Sequence, residues 1–343
     1  MDSANDTASL DRLGPHGLAH DTHLAALVDN GRRLSENRHA ANTRKAYRSD
    51  FAHFVDWCNH TSTGTSIDPL PADPATVWLY LSALVADDNA ANYKVATLER
   101  RLSAIKWMHE TNEHPSPTTH TRVRELIAGI RRTYGAPKHQ VEPLTTEQLA
   151  RMIDTLDLDT KVGLRNRALL LFGYASAMRR SELAGLQRSQ LHRTPQGLRV
   201  DLTGTKDDQE AHGRSIGIPH YPGSPLCPVN ALDTWISAAY ITTGPVFRRV
   251  DRHGNTANRP LAPGSIPPLL KTMATAAGIP ADRIAGHSLR AGHATTAHLN
   301  GAPDRAIMNQ TGHKHADTLN HSIRPNTTFT NNSTNYLGLD NAT

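Results

Sequence analysis

A chain of 343 residues can hold two domains with ordinary cores, or one large one. Hydrophobic residues make up 38% of it and charged residues 20%, and no stretch approaches the roughly 18 uninterrupted apolar residues of a membrane helix. The net charge of +5 and a pI near 9.3 favour a polyanionic partner without identifying one.

Residues 1–31 open with Asp, Ser, Asn and Thr and lack the basic start and apolar run of a secretory signal, so they read as a loose tail. Cys58 and Cys227 are the only cysteines and lie far apart, which fits two buried thiols of a cytoplasmic protein better than a disulfide. From residue 36 to 134 the pattern is helical. Asn42-Thr43 can cap a first helix whose Tyr47, Phe51, Phe54 and Val55 share one face, with Trp57 near its end. A polar stretch over 61–74 ends that unit. Pro74, acceptable in a first turn, opens a second helix through Val77, Leu81 and Leu84. A third, over about 93–112, aligns Val95, Leu98, Leu102, Ile105 and Met108, with Arg101 and Lys106 expected off that stripe. A fourth, over about 118–134, carries Val123, Leu126, Ile127 and Ile130.

Charge concentrates here. Residues 94–138 hold nine basic side chains against four acidic ones, a local excess equal to that of the whole chain. A basic helical face can neutralise phosphates and release counterions, although the same run also suits a solvated surface with ion pairs. Residues 135–144, with a glycine and two prolines, break the periodicity as a linker. Thr145 with Gln148 then makes a capping-box start for a second domain over 145–326. That domain mixes helices with short strands. Leu198–Leu202 and Arg214–Ile218 alternate around a polar turn, as a hairpin would.

Four local patterns in this second domain can carry chemistry. Arg179 closes a buried apolar run, Ala168–Tyr174, and stands three residues before Glu182; an ion pair on a helix surface explains it as well as function does. Lys206 occupies the turn of the hairpin, where a lysine is ordinarily just solvated; it is one of only eight lysines. His287 and Arg290 are three apart, one helical face, and followed by His293. Two groups that can both be cations make a poor pair unless an anion sits between them, and phosphate suits an arginine fork. Thr311-Gly312-His313 places a glycine where the chain would enter a helix tightly, or simply caps one beside exposed histidines.

Taken together, the order R-x-x-E, hairpin Lys, H-x-x-R and G-H resembles the tyrosine recombinase, or phage integrase, family. The intervals agree: 108 residues from Arg179 to His287 and 26 from His287 to His313. So do the longer phrases Ala302–His313 (APDRAIMNQTGH), Leu319–Pro325 (LNHSIRP), Cys227–Trp235 (CPVNALDTW) and Thr43–Phe51 (TRKAYRSDF). The resemblance covers about residues 38–340. It implies a mostly α fold with a small β-sheet (α+β). A helical core-binding, SAM-like domain over 36–134 would precede a recombinase catalytic domain over 145–326, with a tail over 327–343 that docks on a neighbouring protomer. It also implies double-stranded DNA as partner, self-association on DNA into the tetramer seen in relatives, and neither metal nor other cofactor. Arg179 and Arg290 would grip the non-bridging oxygens of the scissile phosphate. His313 would donate a further hydrogen bond, Lys206 would protonate the departing 5′ oxygen, and His287 would assist proton transfer at the nucleophile. The third helix, through Arg100, Arg101 and Lys106, would read a groove, with Arg44 and Lys45 of the first helix as further DNA contacts.

The pattern breaks at one place. Nine residues after His313, where the family carries its nucleophilic tyrosine, this chain has Ser322. Serine is shorter by a whole ring and far less acidic than a phenol of pKa about 10. The expectation is therefore a DNA-binding integrase-type protein whose strand cleavage is impaired. Two alternatives stay open: an active integrase using a displaced nucleophile, Tyr336 or Ser322 itself, and a metal-dependent hydrolase built on the histidines. His313, His315 and His321 lie close together, as do His287, His293 and His298, but no H-E-x-x-H is present.

Overall fold

A computed structural model describes residues 26–27, 30–31, 33, 39–61, 67–86, 93–135, 142–202, 213–320 and 323. The chain divides into two compact units, Met1–Lys138 and His139–Thr343, each with its own core.

Among the described residues, the helices that build the first unit's core are α1 (Ala41–Thr61), α2 (Pro74–Leu84), α3 (Val95–Thr111) and α4 (Thr121–Tyr134). The Asp73 carboxylate caps α2 by accepting from the Ala75 N–H at 2.7 Å, and Pro74 occupies the first turn, where its missing N–H costs nothing. The helices pack Phe51, Phe54, Val77, Tyr80, Leu81, Leu98, Ile105 and Val123 into one core. Burying each such side chain contributes roughly 1.5–3 kcal/mol.

The third helix corrects the sequence reading at Arg101. Its side chain is only 6% exposed, with the guanidinium 4.0 Å over the Tyr93 ring. The spacing Leu98, Arg101, Ile105 is i, i+3, i+7, so Arg101 belongs to the apolar stripe rather than to the face opposite it. It shares the interior with His53, whose ring nitrogens meet the Tyr80 and Tyr93 hydroxyls at 2.9 and 3.2 Å. Arg100 faces outward but holds Asp50 through two bonds, of 2.6 and 3.2 Å. Lys106 lies 3.6 Å from Glu110. On α1, Arg44 is half-buried and Lys45 exposed.

In the second unit the helices are α5 (Thr146–Asp154), α6 (Lys161–Ser176), α7 (Arg180–Gly185), α8 (Pro228–Ala238), α9 (Ile266–Ala276), α10 (Ser288–Leu299), α11 (Asp304–Thr311) and α12 (Ala316–Asn320). The Thr145–Gln148 capping box opens α5 with both of its bonds made. Strands β1 (Leu191–Thr194), β2 (Gly197–Leu202) and β3 (Arg214–Pro219) form an antiparallel sheet in that order, Val200 opposite Ile216. Strands β4 (Arg248–Val250) and β5 (Thr256–Pro260) make a second, two-stranded one. Helix α6 runs through the core: Ala168 to Phe172 are all buried, against Trp235 of α8 and Leu289 of α10 among others. Gly292 lets α10 close on the segment ahead of α5, because a Cβ there would stand 2.1 Å from the Leu144 carbonyl oxygen. The fold is thus mostly helical with small antiparallel sheets. Cys58 and Cys227 are both buried free thiols. No helix among the described residues is long and apolar enough to cross a membrane.

Candidate active site

The site begins where α6 ends. Ala177 adopts a left-handed conformation, φ +50°, which costs a residue with a Cβ and so needs compensation. The compensation is its carbonyl, which accepts from Arg290 Nη1 at 2.7 Å. Two residues on, Arg179 caps α7. Its backbone N–H donates to Glu182 Oε2 at 2.8 Å and its Nη1 to Oε1 at 2.9 Å, so the i, i+3 pair expected from sequence is made twice over. Glu182 also receives Arg214 Nη2 at 3.2 Å. Burial by itself would raise the Glu182 carboxyl, but the Arg179 backbone N–H and the Arg214 and Arg179 guanidiniums outweigh it and hold it below the usual carboxylate range.

Helix α10 supplies the next part. His287 is its N-cap and exposed, while Arg290, one turn in, is 6% exposed. Besides the Ala177 carbonyl, Arg290 Nη1 donates to the Thr311 carbonyl at 2.5 Å, and Nη2 meets His313 Nε2 at 2.9 Å. His313 is placed by the end of α11. Gly312, left-handed at φ +72°, terminates that helix and returns its N–H to the Met308 carbonyl. The glycine therefore closes a helix instead of opening one; only glycine fits the conformation without strain, and a Cβ would lie 2.9 Å from the Arg214 guanidinium. Arg214 Nη1 donates to the Gln310 carbonyl at 2.7 Å, and the Gln310 amide donates to the carbonyls of Ala175 and Gly217.

Arg290 and His313 are thus in direct contact. Arg179 is tied to them through the turn at Ala177 and through Glu182 and Arg214 to the last turn of α11. His287 lies one turn before Arg290. Lys206, Ser322 and Tyr336 lie outside the described residues. Guanidiniums and a protonated imidazole donate hydrogen bonds only, which is the donor set that fits the oxygens of a phosphate. Beside them lies a largely apolar cleft of about 530 Å3, walled by Leu149, Tyr174, His293, Ala297 and Ile307, with no arginine or lysine in its lining. His293 turns Nδ1 to the Tyr174 carbonyl at 3.0 Å; burial, with Arg290 nearby, lowers its pKa despite that bond. No group of three or more potential metal ligands exists among the described residues.

Sequence reasoning missed Arg214, Thr311 and Ala177. For Arg214 a signal existed: the alternation Arg214, Ile216, Ile218 puts it on the inward face of β3. Ala177 had none, because a left-handed alanine is dictated by its surroundings.

Two family descriptions match the chain: "Phage integrase family" over residues 142–327 and "Phage integrase, N-terminal SAM-like domain" over 32–112. An integrase/recombinase XerD homolog from Selenomonas ruminantium is 35% identical over 322 residues, covering 91% of this chain and 92% of that protein. Among solved structures, the XerH site-specific recombinase in a post-cleavage complex with a palindromic difH substrate aligns with a TM-score of 0.57 at 14% identity. That match covers 82% of this chain and 75% of the other. A lambda integrase(75–356) dimer bound to a COC' core site aligns at 0.55 and 14%, over 88% and 95%. At such identities the two structures speak for the fold.

Proposed function

We propose a function from one premise: the chain belongs to the phage integrase family, the tyrosine recombinases. Its role is site-specific DNA recombination or the regulation of it, by binding a duplex and seating one backbone phosphate. Arg179 and Arg290 hold the non-bridging oxygens and stabilise the charge of a pentacoordinate phosphorus. His313 adds a donor, Lys206 protonates the leaving 5′ oxygen, and His287 assists at the nucleophile. The observation that carries this reading is Arg290, one guanidinium that spans the turn before Arg179 and the imidazole of His313.

The nucleophile's place falls to Ser322. A site shaped for a phenol leaves a serine hydroxyl several ångströms short of phosphorus, and the serine alkoxide is both harder to form and harder to expel on religation. The protein is accordingly a DNA binder that cleaves poorly, a partner for or competitor of an active recombinase.

The burial of Arg101 turns attention to other basic side chains of the first unit. Arg122, Arg124 and Arg132 are exposed along α4, whereas Arg131 is held by Glu99 at 2.6 Å. We assign phosphate contacts to α4, together with Lys45.

The test uses duplexes selected from random-sequence DNA by the full chain. A neutral methylphosphonate scanned along the selected duplex weakens binding sharply at one phosphate per half-site. Arg290→Gln lowers affinity for the natural duplex and removes the discrimination at that phosphate. A scan in which every position weakens binding equally contradicts the reading.

A further inference from the structure

We propose that Thr311 is a positioning residue that fixes the protonation pattern of His313. Thr311 is fully buried, and its hydroxyl has one proton to give. That proton goes to the Ile307 carbonyl, 2.7 Å away, one turn back along α11, with Met308 more distant at 3.4 Å. The same oxygen lies 3.0 Å from His313 Nδ1. With its hydrogen committed, the hydroxyl can only accept from the ring, so Nδ1 carries the proton.

The opposite edge of the ring gives the same answer independently. Arg290 Nη2, 2.9 Å from Nε2, can only donate, which requires a lone pair on Nε2. The imidazole in this arrangement is neutral, with hydrogen on Nδ1 alone. Two residues from different helices therefore agree on one tautomer. Thr311 is the one that holds the Nδ1 proton while leaving the edge toward Arg290 available.

A consequence follows for the site, and it rests on the proposed phosphate seat. In this state Nε2 accepts and cannot donate. For His313 to donate to a phosphate oxygen, Nε2 must take one proton from solvent, and Arg290 Nη2 must turn from the ring to the phosphate. Seating the anion is then accompanied by uptake of a proton, with the Thr311 hydroxyl still accepting from Nδ1 in both states. Among the described residues, the charged and titratable groups around the ring include Arg290 from α10, Arg214 from β3 against Gly312, Glu182 and Arg179 from α7 behind Arg214, and the chain neighbours Lys314 and His315. The one carboxylate among these groups, Glu182, is occupied by two arginines.

Imidazole nitrogen resonances of the 15N-labelled full chain test the assignment, with His313 identified by its loss in His313→Gln. At a pH where histidines are neutral, the wild type should show hydrogen on Nδ1 only. Thr311→Ser, which keeps the hydroxyl, should preserve that pattern. Thr311→Val, which keeps the shape, removes the acceptor of the Nδ1–H and should speed exchange of that proton by about tenfold or more, with Arg290 still holding the lone pair on Nε2. Hydrogen on Nε2 in the wild type, or a Val variant identical to it, overturns the proposal. If the Val variant does not fold, Thr311→Ala supplies the same comparison of Nδ1 exchange. Sulfate, whose charge is constant across neutral pH, is the anion probe. It should drive wild-type His313 toward the doubly protonated form, and chloride at equal ionic strength should not. A correct tautomer that ignores sulfate upholds Thr311 and counts against the phosphate seat.

Discussion

His109 illustrates how far a single side chain can be read. It is fully buried, with Nδ1–H donated to the Ile105 carbonyl at 2.8 Å and Nε2 accepting the Ala72 N–H at 2.8 Å. A second proton would set N–H against N–H. Burial lowers its pKa, the Ile105 bond opposes that, and His114 adds to the lowering. The unfolded chain, near 6.5, therefore takes the proton first as pH falls. The stabilisation is complete above about 6.5 and is lost as pH drops through the lower folded value. Hydrogen exchange of α3 amides should show protection falling between pH 7 and 5. His109→Gln should be less protected at pH 8 but flatter below it, the remaining slope belonging to His53, which burial and Arg101 also lower. Unchanged slopes would contradict this. Sequence alone carried part of this residue-level picture. Arg179 with Glu182 was legible because its partners are three apart in the chain. Arg101 was misread because arginine was assumed to face solvent even where the spacing put it among Leu98 and Ile105. Thr311 was unreadable, since its role depends on where His313 turns after Gly312.

Helices were the most legible elements. The 3.6-residue spacing, Pro74 and the Thr145–Gln148 box located α2 through α5 to within a few residues, and alternation located β2 and β3. Direction at Gly312 stayed open between entering a helix and capping one, because a glycine next to a histidine has no polarity until its φ is known; the cap is what forms. Gly292 offers a test at this scale in which two effects have opposite signs. Helix propensity predicts that Gly292→Ala stabilises α10 by about 1 kcal/mol. Packing predicts the reverse, since the new methyl meets the Leu144 backbone at 2.1 Å and backbone cannot rotate away. Overpacking of this kind costs about 1–3 kcal/mol or more, so packing wins and the urea midpoint should fall. A rise would mean that the segment around Leu144 yields freely.

At the scale of the whole chain, the two cores and the family are set by patterns that lie along the sequence. The site is different: it draws on the end of α6, on α7, β3, α10 and α11, and no local pattern joins Arg214 to Gln310 or Ala177 to Arg290. Charge also works at this scale. If α4 carries the contacts, Arg124→Ala should reduce the slope of log affinity against log salt by about 1. Replacing buried Arg101 by Met should leave that slope unchanged while altering stability. Equal effects would return α3 to the DNA face. The central claim is that the phosphate seat persists while the nucleophile is missing. Its most direct test is a nicked suicide duplex built on the selected site, incubated with wild type and with Ser322→Tyr and resolved under denaturing conditions. The account predicts that both bind, that the wild type forms no covalent adduct, and that Ser322→Tyr does. A wild-type adduct, lost on Ser322→Ala or Tyr336→Phe, would contradict it.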